Sequence, residues 1–331
     1  MPICAVQRKA IIPQSMRKLF RDSGGGRLFP RGSVVTVGAF DGVHRGHRAL
    51  LAAARADADA RALPLVALSF EPLPRQFFGG ADGVVRLTTP RQKACELREF
   101  ADSVGLLRFN ARLASMDAAD FVGSVLVERL SARSIWVGPD FRFGHARRGD
   151  IELLRAHGPV HGFDVSSIEP LCEESVRVSS SAIRAALAEG DFVRATQLLG
   201  RAFRMSGHVV HGQQLGRKLG YPTANLPILH GRAPIAGIFA VRVHGVEREA
   251  VPGVASLGTR PTVGGIEPIL EAHLFDWDGD LYGRRIDVEF VAHLRSEAHF
   301  DNLDLLVAQM NRDAAQARAM LSPQFQQRAY A

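Results

Sequence analysis

The 331-residue chain has no long apolar run. No stretch reaches the roughly 18 consecutive apolar residues that a membrane-spanning helix needs, so no membrane partner is expected. The first segment, MPICAVQRKAIIPQSMRKLFRDSGGG, is basic but lacks the apolar core and small-residue cleavage site of a secretion signal, and reads as a leader or a short helix. These absences predict a cytoplasmic protein.

Cysteine is also scarce. Cys4, Cys95 and Cys172 are widely spaced and odd in number, which argues against a disulfide framework or a zinc site. The motif GxxxxGK[ST] is missing from the sequence, which excludes a Walker-type phosphate loop.

Blocks of lysine and arginine interleaved with aromatic residues are absent too, although the formal net charge is +7. The basic residues are dispersed, which favours a solvated surface over nucleic-acid binding, and no nucleic-acid partner is expected. A small phosphorylated ligand would use the same charge.

The length favours two domains, with one large domain as the alternative. Up to about residue 200, short apolar runs alternate with helical segments, which indicates βαβ units and a parallel sheet. The predicted strands here are Ser33–Val37, Leu65–Phe70, Leu106–Phe109, Ser134–Val137 and Phe163–Ile168. The predicted helices are His47–Ala60, Thr89–Phe100, Ala118–Leu130, Arg148–Ala156, Ser179–Glu189 and Phe192–Leu199.

After Arg201 the pattern changes to short β-rich runs between Gly and Pro, which is typical of an antiparallel barrel or sandwich. The predicted strands are Arg204–His211, Ile238–His244, Val246–Ala250, Val254–Leu257, Leu270–Phe275 and Ile286–Leu294. A helix with Asp301 as its cap is predicted over Phe300–Ala319. The expected division is an extension over 1–32, a first domain over 33–202 and a second over 203–331.

The stretch VVTVGAFDGVHRGHRALL joins a strand to a helix through glycines. Such a junction directs backbone N–H groups and the positive end of a helix at one edge of a parallel sheet, where α/β proteins bind phosphates. His44 and His47 fall on one face of the first helical turn and could stabilise charge on a phosphate. The alternatives are a metal site, for which a third ligand is missing, and histidines that only cap or line the helix.

A second stretch, HGQQLGRKLGYPTANLPI, contains Thr223 and Asn225 two residues apart. In an extended segment these side chains point the same way, and their oxygens form a plausible partial shell for Mg²⁺. On chemistry alone, PTAN is equally well a simple turn.

Several motifs resemble, in order, those of the bacterial bifunctional riboflavin kinase/FAD synthetase family. GAFDGVHRGH, SFEPLPRQFF, VGPDFRFGHARRGD and SSSAIRAALAEGDF are similar to its adenylyltransferase part. GRKLGYPTANL, SLGTRPTVGG, LEAHLFDWDGDLYGRRIDVEF and LRSEAHF are similar to its kinase part. The resemblance implies an α/β protein: a Rossmann-like HxGH nucleotidylyltransferase domain with a parallel sheet, and a Greek-key β-barrel riboflavin kinase domain with a terminal helix.

The resemblance also implies site residues for each part. In the first, His44, His47 and Arg184 would be catalytic, with a nucleotide and flavin site formed by Gly38, Phe40, Asp41, Gly42, Gly46, Asp140, Phe143, Ser180 and Ser181. In the second, Glu271 would be the general base and Thr223 and Asn225 would hold Mg²⁺, with Gly216, Gly220, Pro222 and Arg295 around the ligands.

Two positions depart from the family's pattern. Ala39 stands where many relatives carry Asn, so one side-chain hydrogen bond is expected to be missing. Leu73 stands where the family's Pro-His-Pro has its histidine, which puts in doubt any role of that histidine.

The implied activity is the phosphorylation of riboflavin to FMN by ATP, followed by transfer of AMP from ATP to FMN, which gives FAD and pyrophosphate. The implied partners are riboflavin, FMN, FAD and ATP/ADP, with Mg²⁺ as cofactor and ATP as co-substrate, in a monomer or weak homo-oligomer. The alternatives are an enzyme with one active part only, and a flavin- or nucleotide-binding regulatory protein without turnover.

Overall fold

The computed structural model describes residues 19–80, 83–212, 215–228, 232–262 and 265–322. The chain divides into two compact units: the first consists of residues 1–84 and 93–171, and the second of residues 85–92 and 172–331. Within the described ranges, no helix is long and apolar enough to cross a membrane. Most of the basic N-terminal segment, residues 1–18, lies outside the described residues.

The first unit contains a six-stranded sheet in which every neighbouring pair is parallel. Its strands follow the spatial order β1-β4-β3-β2-β5-β6. They are β1 Leu19–Phe20, β2 Ser33–Val37, β3 Leu65–Glu71, β4 Ser103–Arg108, β5 Ala132–Val137 and β6 Asp164–Ser167. The predicted parallel sheet is confirmed.

Helices connect these parallel strands, as parallel pairing requires. They are α1 Arg45–Ala60, α2 Pro74–Gly79, α3 Pro90–Leu97, α4 Ala111–Ala114, α5 Ala118–Asp120, a π-helix Phe121–Arg129, a 3₁₀ turn His145–Arg147 and α6 Ile151–His161.

The sheet of the first unit is buried on both faces. Val35 and Val37 belong to one apolar cluster, together with Phe121 from the π-helix, whereas Val34 belongs to another cluster with Leu51 from α1. Alternate residues of a strand point to opposite faces, so helices cover both sides. This explains why the strands are continuous apolar runs in the sequence.

The second unit contains a six-stranded antiparallel sheet with the order β10-β13-β12-β11-β14-β9. Its strands are β9 Arg204–His208, β10 Ala224–Pro227, β11 Gly237–His244, β12 Val251–Thr262, β13 Gly265–Leu274 and β14 Arg285–Arg295, and a short hairpin precedes them with β7 Cys172–Glu173 and β8 Val176–Arg177. An isolated bridge between Val210 and Asn225 joins the two ends of the sheet. The sheet is therefore close to a closed barrel, as predicted.

Four helices belong to the second unit: α7 Ser180–Ala188, α8 Phe192–Leu199, α9 Leu215–Lys218 and α10 Leu303–Leu321. In α8, Phe192 packs against the rings of Phe239 and Phe290 in the barrel. In α10, Ala317 and Leu321 pack in one cluster with Ala240 of β11, which attaches the terminal helix to the barrel.

Three sequence predictions differ from the structure. Val246–Ala250 is not a strand, because Gly245 has φ +84° and turns the chain. The segment predicted as one helix over Ala118–Leu130 is the short α5 followed by a π-helix, in which the N–H of Leu130 bonds the carbonyl of Val125 five residues back. The cap of α10 is Asn302, whose side chain accepts from the N–H of Leu305.

Candidate active sites

The predicted phosphate loop, residues 38–44, follows the central strand β2. From β2 the chain continues to β3 on one side, and after β4 it crosses to β5 on the other side of β2. In open parallel sheets, this reversal creates a crevice at the carboxyl ends of the strands, where ligands bind. The fold therefore puts the loop at the favoured position for a nucleotide.

His44 and His47 lie together at the start of α1. His44 is the N-cap of the helix, and its Nδ1 accepts the backbone N–H of His47 at 3.2 Å. The two imidazole rings are stacked, with their centroids 3.6 Å apart and 16° between their planes. Because Nδ1 of His44 is an acceptor, the proton of a neutral His44 ring is on Nε2.

His47 is held in its neutral form. Burial lowers the pKa of His47 well below its ordinary value, and the nearby His44 and Lys93 lower it further. Its Nδ1 is buried and has no hydrogen-bond partner within the described part of the chain. A neutral ring with an open nitrogen can accept or donate one hydrogen bond to a ligand.

The remaining loop residues are tightly constrained. Phe40 is fully buried with φ +48°, and Gly42 has φ +83°. A Cβ on Gly38 would come within 3.1 Å of the Phe40 ring, so the ring would have to shift to admit a side chain there. Asp41 is buried, and Gly46 lies in the first turn of α1.

The sequence analysis overlooked a group of aromatic side chains at the ends of β3 and β4. The rings of Phe77 and Phe78 on α2 pack edge-to-face with each other and with the ring of Phe109. Phe78 is 69% exposed, which is unusual for a large apolar side chain. The signal was the pair of adjacent phenylalanines in PLPRQFF, on a helix too short to bury both.

The predicted nucleotide-side residues Asp140 and Phe143 lie in different environments. Asp140 is exposed, whereas the side chain of Phe143 is buried between Phe121 and Phe141. Leu73, at the departure from Pro-His-Pro, is buried too.

The second predicted phosphate motif belongs to the second unit. Ser179 is the N-cap of α7 and accepts the N–H of Ala182 at 3.1 Å. Ser180 and Ser181 form the first turn of this helix. Arg184, one turn later, donates from Nε to the carbonyl of Val85 at 2.5 Å.

The barrel of the second unit contains a cavity of about 240 Å³ that brings together most of the predicted kinase residues. Its walls come from α9 and the loop that follows it, from strands β10 to β14 and from α10. The lining residues are Gly216, Leu219, Tyr221, Thr223, Asn225, Ile238, Val254, Ala255, Ser256, Glu271, His273, Arg295, Leu306, Met310 and Asp313.

Glu271 has polar neighbours on both sides. In the strand registers, Glu271 lies directly opposite Asn225 of β10 and opposite Ser256 of β12. Asn225 is buried, its Nδ2 donates to the carbonyl of Thr223 at 3.2 Å, and its Oδ1 has no hydrogen-bond partner in the described ranges. A buried amide oxygen without a partner costs free energy, which a bound ligand would recover.

The loop that carries the motif GRKLGYPTAN is tightly folded. Gly216 leaves no room for a Cβ beside the carbonyl of Tyr221, and Gly220 has φ +84°. The carbonyl of Pro222, an exposed residue, accepts a hydrogen bond from His273 Nδ1 at 2.9 Å. These contacts fix the backbone just before Thr223.

Arg295 lines the cavity, but its guanidinium group is engaged with α10. Its Nε and Nη2 donate to both carboxylate oxygens of Asp313, and its Nη1 donates to the carbonyl of Ser296. Gln309 also donates to Asp313. Sequence reasoning missed Asp313, one of two aspartates in α10.

Among the residues that the structure describes, no group of three or more His, Cys, Asp or Glu is placed to hold a metal ion.

Comparisons with known proteins agree on both units. The family model described as FAD synthetase matches residues 27–182, and the model described as riboflavin kinase matches residues 199–321. The bifunctional riboflavin kinase/FMN adenylyltransferase of Escherichia coli (strain K12) is 46% identical over 288 residues, which are 87% of this chain and 92% of the relative. The protein of the same name from Pseudomonas fluorescens is 45% identical over 294 residues, or 88% and 94%.

A solved structure is similar over nearly the whole chain. The crystal structure of a macrolide-efflux protein from Streptococcus pneumoniae has a TM-score of 0.75 and 31% identity, and the match covers 90% of this chain and 97% of that one. Its name differs from those of the sequence relatives, which are more similar to this chain and agree with both family models.

Proposed function

The chain belongs to the family of bifunctional riboflavin kinase/FMN adenylyltransferases, and from this premise we propose which residues carry out its two reactions. The protein phosphorylates riboflavin with ATP to give FMN and ADP. It then transfers AMP from ATP to FMN to give FAD and pyrophosphate. The predicted family and both predicted activities are confirmed.

Glu271 is the proposed general base of the kinase reaction. A carboxylate in the cavity takes the proton of the ribityl 5′-hydroxyl while its oxygen attacks the γ-phosphorus of ATP and ADP departs. The observation that carries this proposal is the convergence of Gly216, Thr223, Asn225 and Glu271 on one cavity.

Thr223 and Asn225 are the proposed ligands of Mg²⁺. The unpartnered Oδ1 of Asn225 fits this cation, because Mg²⁺ prefers oxygen ligands and shares them with phosphates. When bound, the cation would neutralise part of the negative charge on the transferred phosphoryl group. The hydroxyl of Thr223 and the amide of Asn225 orient the phosphate end of ATP toward Glu271.

His44, His47 and the backbone of residues 38–44 are the proposed phosphate site for adenylyl transfer. The FMN phosphate attacks the α-phosphorus of ATP and pyrophosphate leaves, so negative charge accumulates at the α-phosphate. Imidazole and backbone N–H groups can donate hydrogen bonds to it. The exposed ring of Phe78, with Phe77 and Phe109, offers a stacking surface for the isoalloxazine ring.

The other site assignments stay predictions: Arg184 as the group that binds the leaving pyrophosphate, and Ser180, Ser181, Asp140, Phe143, Pro222 and Arg295 as binding residues. The boundary near residue 202 also stays a prediction. The gap between the two family matches, from 182 to 199, supports it, although the compact units assign residues 172–202 to the second unit. The same proposal includes FAD and ADP as ligands and a cytoplasmic location. It also includes a monomer or weak homo-oligomer that has no nucleic-acid or membrane partner.

Two substitutions test the two sites separately. Glu271→Gln is expected to abolish FMN formation from riboflavin and to leave FAD formation from added FMN intact. His47→Ala is expected to do the reverse. Glu249→Gln, on the exposed surface of the second unit, and His157→Ala, on α6, are the matched controls. Chromatography of the flavin products measures both reactions, and an equal loss of both in either variant would contradict separate sites.

A further inference from the structure

The carbonyl oxygen of Ala39, in the phosphate loop, receives two hydrogen bonds from side chains behind the loop. Ser69 Oγ donates to it at 2.9 Å, and Lys93 Nζ donates to it at 3.4 Å. Ser69 lies on β3 and Lys93 on α3, so both are distant from the loop in sequence.

Lys93 is fully buried, which is rare for a lysine. Its ammonium group also donates to the carbonyl of Phe70 at 2.9 Å and lies 3.7 Å from Glu71 Oε2. Burial of an ammonium group costs free energy even when it is paired, so its stabilising effect on the fold is small or negative. The geometry that it imposes on its acceptors is therefore the better explanation for its position.

The orientation of the Ala39 carbonyl determines the orientation of the next N–H group. The peptide bond between Ala39 and Phe40 is trans, so its C=O and N–H point in opposite directions. Because the carbonyl points inward to Ser69 and Lys93, the N–H of Phe40 points away from them.

The N–H of Phe40 makes no hydrogen bond within the part of the chain that the structure describes. Phe40 has φ +48°, an uncommon conformation for a residue with a side chain, and its ring is fully buried against Gly38. The peptide is thus held by the buried ring on one side and by two donors on the other. A strained, well-held peptide with an open N–H group is typical of a binding site.

We propose that Ser69 and Lys93 form a clamp on the Ala39–Phe40 peptide that directs the N–H of Phe40 to a phosphate of ATP during adenylyl transfer. Lys93 and Ser69 are then positioning residues, since they act through the peptide. This inference rests on the proposed role of residues 38–44 as the phosphate site. It also explains how the loop functions with alanine at position 39: the backbone carbonyl is the group that is held.

The clamp is tested in the full-length protein with Lys93→Met, Ser69→Ala, the double variant and Lys93→Arg. In Lys93→Met, the KM for ATP in FAD synthesis should rise about tenfold to hundredfold, because a hydrogen bond from a charged group is lost. The KM for FMN should change less than about twofold. Ser69→Ala should raise the KM for ATP about fivefold. Lys93→Arg, which keeps the charge, should recover part of the loss.

The KM for ATP distinguishes positioning from a structural role. If Lys93 only stabilised the fold, the variant would contain less active protein, which lowers the apparent kcat and leaves both KM values unchanged. Because both side chains hold one carbonyl, the effects of the double variant should be clearly non-additive. Arg98→Met, which removes an exposed charge just after α3, is the control.

Riboflavin phosphorylation in the same samples should stay unchanged, because its proposed site lies in the second unit. Unchanged KM values for ATP in Lys93→Met, or strictly additive effects in the double variant, would overturn the clamp. His47→Ala is measured in parallel. If both variants make FAD normally, the proposed phosphate site is wrong. If His47→Ala makes no FAD while Lys93→Met behaves like the unaltered protein, only the clamp is refuted.

Discussion

Replacement of Asp313 by Asn is expected to destabilise the second unit through the loss of one ion pair. The carboxylate of Asp313 is 6% exposed and receives three contacts of 2.7–3.1 Å from Arg295. Gln309 donates to it at 2.8 Å. The substitution retains the size of the side chain but leaves the guanidinium group without a counter-charge.

The size of the effect follows from the burial of the two partners. Breaking a fully buried ion pair costs about 3–5 kcal/mol, because it leaves an uncompensated charge in the interior. Arg295 keeps 23% of its side chain exposed, and water there offsets part of the loss. We therefore expect the free energy of unfolding to fall by about 2–4 kcal/mol.

The two tryptophans allow the second unit to be followed alone. Trp136 lies in the first unit and Trp277 in the second, so in a Trp136→Phe background the fluorescence reports the second unit. With a urea dependence of about 2 kcal/mol per molar, the unfolding midpoint should fall by about 1–2 M. Asp301→Asn, which removes an exposed charge just before α10, is the control.

A midpoint of Asp313→Asn equal to that of Asp301→Asn would refute this reasoning. The kinase activity should fall with the stability, because Leu306 and Met310 on the same helix line the cavity. FAD formation from added FMN should persist.

Three further predictions concern single side chains. In a histidine NMR titration, the His47 ring should stay neutral below pH 6.5, because burial, His44 and Lys93 lower its pKa; Lys93→Met should move that pKa upward. Below about pH 6.5 the unfolded chain then binds more protons than the folded one, so the first unit should lose stability as the pH falls. A His47 pKa at or above about 6.5 would contradict both statements. Phe78→Ala should raise the KM for FMN about fivefold without lowering the melting temperature, in contrast to the equally exposed Val160→Ala, which should change neither. Asn225→Leu should raise the Mg²⁺ concentration needed for half-maximal FMN formation at least tenfold, and an unchanged Mg²⁺ dependence would rule out this residue as a ligand.

Elements with clear local signals were predictable to the residue. Strand Ser33–Val37 is a β-branched run that Gly38 ends, and helix Phe192–Leu199 lies between the capping Asp191 and Gly200. The strand predicted over Val246–Ala250 is wrong, because the positive φ of Gly245 turns the chain there. Strand propensity is a property of the residues within a segment, whereas the pairing of that segment in a sheet also depends on the residues that flank it.

The grouping of the proposed kinase residues was predictable, since the family's motif covers Thr223, Asn225 and Glu271, and all three line one cavity. Lys93 was not predictable. In RQKACEL it reads as a solvated charge on a helix, and its burial depends on contacts with Ala39 and Phe70, which are far away in sequence. The one available signal is that lysine occurs at only four positions among 41 basic residues.

Asn225 contributes to the barrel through its backbone and to the proposed kinase site through its side chain. The carbonyl of Asn225 accepts the N–H of Val210 at 2.9 Å and joins the ends of the barrel sheet, while its side-chain oxygen lies buried and unpartnered beside Glu271. Ligand binding and barrel closure therefore depend on the same backbone position. The exchange rate of the Val210 amide proton with solvent should consequently report occupancy of the kinase site, slowing when a ligand engages the Asn225 side chain.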